Sequence, residues 1–415
     1  MVKVMAVNAG SSSLKFQLIN MPSEEVITSG LVERIGQEVG NFVIKVNGEK
    51  IQTQTPIPDH QVAVDLLLNA LVDHHIVESL EEIDAVGHRV VHGGEDFDDS
   101  VVVDEEAVKK VADLAELAPL HNPANIIGYK AFKEALPDHV GHVFVFDTAF
   151  HQTLDKERYL YPLPLEYYTD LKVRKYGAHG TSHKYVSQQA IEMLGNPKES
   201  RIIVCHLGNG ASVSAVQDGK CIDTSMGLTP VQGLMMGTRA GDVGAGAISY
   251  MMTKENLTID QALDVMNKKS GILGISGKSS DLREVLQGMQ DGDDSCRLAV
   301  DMVAYNIKKY VGAYVAALDG VDALCFTGGI GENSSLIREI VCAGLDGMGL
   351  IIDPTKNNKR RSVARDIATN SSTARIFVIP TNEEFVIAND TYKIVSELTK
   401  YIKKKDEAKA SSFYL

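Results

Sequence analysis

An apolar run over residues 2–8 opens the chain, followed by a Gly/Ser turn and a second alternating run over 14–19. That pattern predicts a β-hairpin, because the turn residues tolerate tight backbone geometry and both runs suit strands. Residues 42–45 and 50–53 flank Asn47-Gly48, a second hairpin signal. Asp59 starts a predicted helix whose apolar face holds Val64, Leu67, Leu68 and Leu71. A short apolar run at 83–86 predicts a buried strand leading into the segment GHRVVHGG. Asp104 starts a helix reaching about residue 118, Pro123 opens the next, and 142–146 is a strand ending at Asp147.

The second half repeats the theme. Residues 201–207 and 211–217 read as strand, turn, strand around Gly208-Asn209-Gly210, with a third short strand after Asp218-Gly219. A long helix over 295–318 precedes an apolar strand at 321–326, which runs into TGGIGEN and then a helix. Residues 375–379 form a further strand, and a C-terminal helix starts at Asn382. The order Asp-Ala, apolar run, Gly-Gly occurs at 84–94 and again at 322–329. Alternating strands and helices predict an α/β protein, and the parallels predict an internal duplication. The expected domains are residues 1–150, completed by a C-terminal helix at about 385–415, and residues 151–384. Two such domains facing each other would place both Gly-rich turns in a cleft, where strand carboxyl ends open towards a ligand.

Composition narrows the class. With 415 residues, 44% hydrophobic and 23% charged, the chain reads as globular and too long for one ordinary core. The net charge is −14 and the basic residues form only short clusters at 356–361 and 400–405, with no basic patch or tail, so a nucleic-acid partner is not expected. Small anionic substrates stay admissible, because a few arginines in a cleft outweigh distant carboxylates. Five cysteines without close pairing suit reduced thiols in the cytoplasm. No signal-peptide pattern and no apolar run long enough to span a membrane occurs.

Several segments carry candidate chemistry. NAGSSSLK, from Asn8 to Lys15, offers backbone amides, the hydroxyls of Ser11, Ser12 and Ser13, and an ammonium. A phosphate needs such directed donors, although a plain hairpin turn has the same composition. His206, Leu207, Gly208, Asn209 and Gly210 offer similar donors at the matching place in the second half. Gly329, Ile330, Gly331, Glu332 and Asn333 lie between strand and helix, fit either for a nucleotide or for close strand-to-helix packing. Arg89 and Arg239 have the rigid fork that suits carboxylate or phosphoryl oxygens. Each also suits a structural salt bridge, with Asp242 a local partner for Arg239. Asp147 is placed to orient a nucleophile, accept a proton, touch a metal or cap the next segment. His179, in YGAHGTSH, precedes a helix expected to be capped by Thr181 or Ser182. Protonated or neutral, it can donate to phosphoryl oxygens; His121 in PLHNP is a further candidate, and either can be structural. Neither a zinc motif nor a G-x-S-x-G elbow occurs, and His88 and His92 have no assigned role.

Together these segments resemble the acetate and butyrate kinase family over nearly the whole chain. They are NAGSSSLKF, HRVVHGG, PLHNP, FDTAFH, YGAHGTSH, HLGNGAS, GTRAGD, FTGGIGENS and IPTNEE, in the family's order. The resemblance implies a duplicated α/β ATPase fold of the actin-like, Hsp70-like and sugar-kinase type (ribonuclease H-like), with two domains flanking an active-site cleft. It implies reversible transfer of the ATP γ-phosphoryl group to acetate, giving ADP and acetyl phosphate, with Mg2+ or Mn2+, by a cytoplasmic homodimer. Carried over by motif, Asn8 and Glu383, with Glu384 adjacent, would hold the metal largely through water. Arg89 would bind the acid's carboxylate, and Val91, Leu120, His121 and Pro230 would line its pocket. Asp147, His179 and Arg239 would be catalytic, the last two stabilising the migrating group. Ser11, Ser13, Lys15, residues 206–210, Asp281, Leu282, Arg283 and residues 329–333 would contact phosphates or nucleotide. Ala178 stands where some members carry a large aromatic, which leaves the preference between acetate, propionate and butyrate open. The rival class is a nucleotide-driven binding module of the actin kind, against which the two arginines argue.

Overall fold

The computed structural model describes residues 1–119, 121–359 and 362–412, with side chains to residue 401. It divides into two units: Met1–Ala149 with the C-terminal segment from Asn382, and Phe150–Thr381.

The first unit is built on eight strands: β1 Val2–Ala9, β2 Ser13–Met21, β3 Glu25–Glu33, β4 Gly40–Val46, β5 Glu49–Thr55, β6 Ala85–Val90, β7 Val101–Val102 and β8 Gly141–Phe146. Their order is β5-β4-β3-β2-β1-β6-β8-β7. β1 and β2 are antiparallel, and the Gly10 N–H closes their turn on the Ser13 carbonyl at 2.8 Å. β1, β6 and β8 run parallel, so their carboxyl ends open on one edge of the sheet. Asp59 caps helix His60–Asp73 by accepting from the Val62 N–H. That helix and Asn122–Ala135 bury Val64, Leu67, Leu71 and Phe132 with Phe16, Phe42 and Val86 of the sheet. The C-terminal helix Glu383–Ser412 packs Ile387 and Ala388 against Val4, Ala6, Val143 and Val145. Gly87 permits its close approach, since a Cβ there would lie 2.2 Å from Thr391 Oγ1.

The second unit has six strands: β9 Arg201–Leu207, β10 Ala211–Gln217, β11 Lys220–Thr224, β12 Ala323–Thr327, β13 Arg365–Asp366 and β14 Arg375–Val378. Their order, β11-β10-β9-β12-β14-β13, repeats β3-β2-β1-β6-β8-β7 with the same parallel and antiparallel relations. The duplication extends to single hydrogen bonds. Asp84, before β6, accepts the Lys3 N–H at 2.7 Å; Asp322, before β12, accepts the Arg201 N–H at 2.7 Å. Helix Gly180–Met193 covers one face of this sheet through Val186 and Ala190. The long helix Asp294–Ala317 covers the other through Ala299, Val300, Val303 and Ile307.

Two local expectations change. TGGIGEN is not a loop before a helix: β12 ends at Thr327 and helix Gly328–Asn333 begins at once, because Gly328 turns the chain at φ 75°. Thr181 and Ser182 do not cap the helix after YGAHGTSH. It starts at Gly180, and His179 occupies the cap position in the left-handed region at φ 59°. Strand β3 and the helices Ala245–Glu255, Ile259–Asp264, Gly271–Ser276 and Leu282–Gln290 are additions to the elements that the local pattern predicts. Helix Ala245–Glu255 buries none of its residues, so it carries no amphipathic signal to find.

Candidate functional site

In the first unit the chemistry gathers at the carboxyl ends of β1, β6 and β8. Arg89 sits in β6 and Asp147 follows β8, its N–H bonded to the Val90 carbonyl at 3.0 Å. Arg89 Nε donates to Asp147 Oδ1 at 3.0 Å, and a second guanidinium nitrogen donates to Oδ2. A third donates to Asn8 Oδ1 at 3.2 Å. Burial alone would lower the Arg89 pKa, but Asp147, with Glu383 and Glu384 near it, raises it above the ordinary guanidinium value. Asp147 is 1% exposed with both oxygens on Arg89, which makes it an organiser of that arginine. Glu384 pairs with Lys15, whereas burial, and then Asp147 and Glu384, push the Glu383 carboxyl up against the opposing pull of Arg89. The hydroxyls of Ser11 and Ser12 are exposed on the turn.

Two buried asparagines outside the predicted site residues shape this edge. Asn125 Nδ2 donates to the Ala9 carbonyl at 2.7 Å, and its Oδ1 accepts the Val91 N–H at 3.2 Å. It therefore ties the end of β1 to the segment after Arg89. Asn122 accepts the His92 N–H at 3.1 Å and returns a bond to the His92 carbonyl at 3.0 Å. Both belong to the HNPAN stretch, where two amides at i and i+3 on a helix facing glycine-rich chain were the available signal. Val91 is buried, His121 is exposed at the start of that helix, and Leu120 lies outside the described residues.

In the second unit the HLGNG segment closes β9 onto β10, with the Gly208 N–H bonded to the Gly210 carbonyl at 3.0 Å. His179 and Arg239 converge here. A Cβ placed on Gly210 would lie 3.5 Å from His179 Nε2 and 3.6 Å from a terminal nitrogen of Arg239. Arg239 donates to the Pro230 carbonyl at 2.9 Å and touches Met236 Sδ at 3.5 Å. Its expected local partner is engaged elsewhere: Asp242 accepts from the Gly233 N–H at 3.1 Å and from the Tyr310 hydroxyl. Arg239 thus makes no ion pair with a carboxylate among the described residues, and burial lowers its pKa. An uncompensated, half-buried guanidinium is what an incoming anion requires.

The remaining predicted contacts have distinct surroundings. His206 Nδ1 shares a hydrogen bond with Ser182 Oγ at 2.7 Å, and Thr381 Oγ1 donates to Ser182 Oγ at 2.8 Å. Asn209 is exposed, its carbonyl accepting the Gly237 N–H at 3.0 Å. Glu332 turns inward and accepts the N–H groups of Gly328 at 3.0 Å and Thr381 at 3.2 Å. Gly329 faces open space, Ile330 is half-buried and Gly331 is buried. Asn333 Nδ2 returns to the Gly329 carbonyl at 2.9 Å. Asp281 caps helix Leu282–Gln290 and pairs with exposed Arg283, whose hydrogen bonds lower its pKa to about 2. Leu282 is packed in the core, which leaves only its backbone for a ligand.

A sequence profile of the acetokinase family matches residues 3–389. The chain belongs to the acetokinase family. It is 55% identical over 397 residues to the acetate kinase of Anoxybacillus flavithermus, covering 95% of this chain and all of that protein. It is equally identical, over 395 residues, to the acetate kinase of Bacillus subtilis, with the same coverage. Among solved structures, Porphyromonas gingivalis acetate kinase superposes with a TM-score of 0.91 at 46% identity, covering 95% of this chain and 100% of that one. A propionate kinase from Francisella tularensis superposes at 0.89 and 41% identity, with the same coverage. The two sheets, with their shared six-strand order, are those of the duplicated actin-like ATPase fold. This acetokinase-family chain is accordingly a phosphotransferase with a carboxyl group as acceptor.

Proposed function

We propose that this chain catalyses reversible, Mg2+-dependent, direct in-line transfer of the ATP γ-phosphoryl group to acetate. The observation that carries the reading is the convergence of His179 and an uncompensated Arg239 on Gly210. Phosphoryl transfer needs positioned positive charge and directed donors more than covalent chemistry. Acetate is already ionised near neutral pH and needs no strong general base. Asp147, with both oxygens on Arg89, holds that arginine's fork in place for the acid's carboxylate. His179 and Arg239 receive the migrating group, and the turn at 208–210 with residues 329–333 contacts the nucleotide and its phosphates.

The donors of the first unit fit Mg2+. Asp147 and Glu384 are paired with Arg89 and Lys15, whereas the Glu383 carboxylate beside them makes no ion pair among the described residues and offers hard oxygen donors. Among the described residues no cluster of three or more His, Cys, Asp or Glu forms a ready metal cage. Mg2+ commonly takes one or two carboxylates and completes its shell with waters and phosphates. Asn8, with Glu383, would hold it, and it would neutralise phosphate charge during transfer. Mn2+ would serve in its place.

The test is to incubate the protein with Mg-ATP and acetate and trap acyl phosphate with hydroxylamine. Acetate-dependent hydroxamate supports the reading, and slow ATP hydrolysis without it overturns it. A longer acid is the second reading, favoured by the propionate kinase among the structural relatives and by small Ala178 beside His179. Rates on acetate, propionate and butyrate at saturating ATP separate them, since each methylene is worth about 1–3 kcal/mol. The same proposal includes a homodimer, supported by exposed Tyr250, Ile259, Leu263 and Tyr305 and by a helix Ala245–Glu255 that buries nothing in its own chain. It also includes a cytoplasmic setting, supported by five free, buried cysteines.

A further inference from the structure

His179 and His183 lie four residues apart at the start of helix Gly180–Met193, and Ser212 and Ser214 lie two apart on β10. His183 projects from the first turn of that helix and His179 from its cap position, in the left-handed region at φ 59°, while the serine spacing puts both hydroxyls on one face of the strand. The structure joins them in a single file. His179 Nδ1 lies 2.8 Å from Ser212 Oγ, and Ser212 Oγ lies 2.8 Å from His183 Nε2. His183 Nδ1 lies 2.7 Å from Ser214 Oγ.

We propose that Ser214, His183 and Ser212 form a one-way hydrogen-bond relay that holds His179 as the neutral tautomer with its proton on Nε2. His179 is then a fixed donor to the migrating phosphoryl group, and the three relay members are positioning residues. The direction follows from counting protons. His183 is fully buried, and burial, with His151 and His206 nearby, pushes its pKa well below the ordinary imidazole value. It is therefore neutral and carries one N–H. Ser214 is also fully buried, and His183 is its one side-chain hydroxyl partner among the described residues. If Ser214 accepted from His183, its own hydroxyl proton would be stranded, the expensive kind of buried defect. Ser214 therefore donates to Nδ1, which leaves the His183 proton on Nε2, donated to Ser212. Ser212 has one proton, and it points to His179 Nδ1. The His179 proton then sits on Nε2, the nitrogen that faces Gly210 and Arg239. An imidazolium would instead have Nδ1 donate to Ser212 Oγ, which leaves the proton of the fully buried Ser212 without its acceptor.

This inference rests on the proposed role of His179 in phosphoryl transfer, and the experiment separates the two. Nitrogen-15 NMR of imidazole-labelled protein at neutral pH, without substrate, reads the tautomer directly. The expected result is a protonated Nε2 and an acceptor Nδ1 on His179. Ser214→Ala should give His179 a mixed tautomer and lower kcat about tenfold or more, with the KM for ATP held, as loss of an orienting partner does. Ser214→Thr, which keeps the hydroxyl, should restore both. A cationic His179, an Nδ1–H tautomer, or an unchanged tautomer in Ser214→Ala overturns the relay. An unchanged kcat in His179→Ala overturns the phosphoryl role alone, because the tautomer is measured independently of turnover.

Discussion

In the first unit Arg89 meets both oxygens of a carboxylate; in the second, Arg239 meets a carbonyl and a thioether. The six strands of the second sheet repeat the order of six of the eight in the first. One scaffold therefore presents two kinds of edge: a compensated, charge-rich one around Asp147, Glu383 and Lys15, and a histidine–serine edge with one uncompensated cation. A paired arginine is rigid and selective, suited to holding a carboxylate. An unpaired one is unsatisfied until an anion arrives, suited to a group whose charge develops during transfer.

The strongest challenge to that contrast is Arg239→Ala. Its kcat should fall about a thousandfold, the scale of losing one preorganised donor, with the KM for ATP nearly unchanged. Steady-state kinetics checks this, and a near-normal kcat would remove the distinction. Arg89→Ala should act differently. The apparent KM for acetate should rise steeply, and stability should fall by about 3–5 kcal/mol because Asp147 is left buried and unpaired. Urea unfolding alongside acetate saturation reads both, and unchanged saturation counts against the carboxylate role.

Acid probes the buried imidazoles of the first unit. His88 Nε2 lies 3.0 Å from His142 Nδ1, and burial lowers the His142 pKa to about 4. The unfolded chain binds this proton below about pH 6.5, so stability is complete above that value and declines as pH falls towards 4. For His142 alone the loss at pH 5 is about 2 kcal/mol. His142→Gln should flatten that part of the acid slope in urea unfolding, and an unaltered slope would refute it. The smallest effect concerns Glu383, whose carboxyl is raised by burial. A raised folded pKa favours the fold below the unfolded value and weakens it as pH rises through the folded one. Glu383→Gln should therefore raise the Tm of metal-free protein at neutral pH while weakening Mg2+-dependent turnover. A lowered Tm there would show that the ionised carboxylate supports the fold.

Much of the fold was legible because strand and helix periodicities are local. The hairpins at β1–β2 and β9–β10, the Asp59 cap, and the Asp-Ala runs before β6 and β12 all stand where the pattern put them. The stretch from Ala245 to Gln290 did not read, because its short helices pack few buried residues and its first helix buries none. In the site, the residue types at Arg89, Asp147, His179 and Arg239 stood out, whereas Asn122 and Asn125 did not. A buried amide has no charge or motif, and its value comes from the two distant backbone segments it joins.

By itself the sequence determined the duplicated α/β plan, the motif set and the family, since each depends on residues close in the chain or on their order. Only the tertiary structure decided which charges are compensated. Arg89 and Asp147 are 58 residues apart, and the Arg239–Asp242 pairing that proximity suggests does not form. It also decided that Glu384 meets Lys15 and that Ser212 stands between two histidines. Periodicity specifies the face a side chain occupies; the partner it finds there depends on sheet register and helix packing across the whole unit.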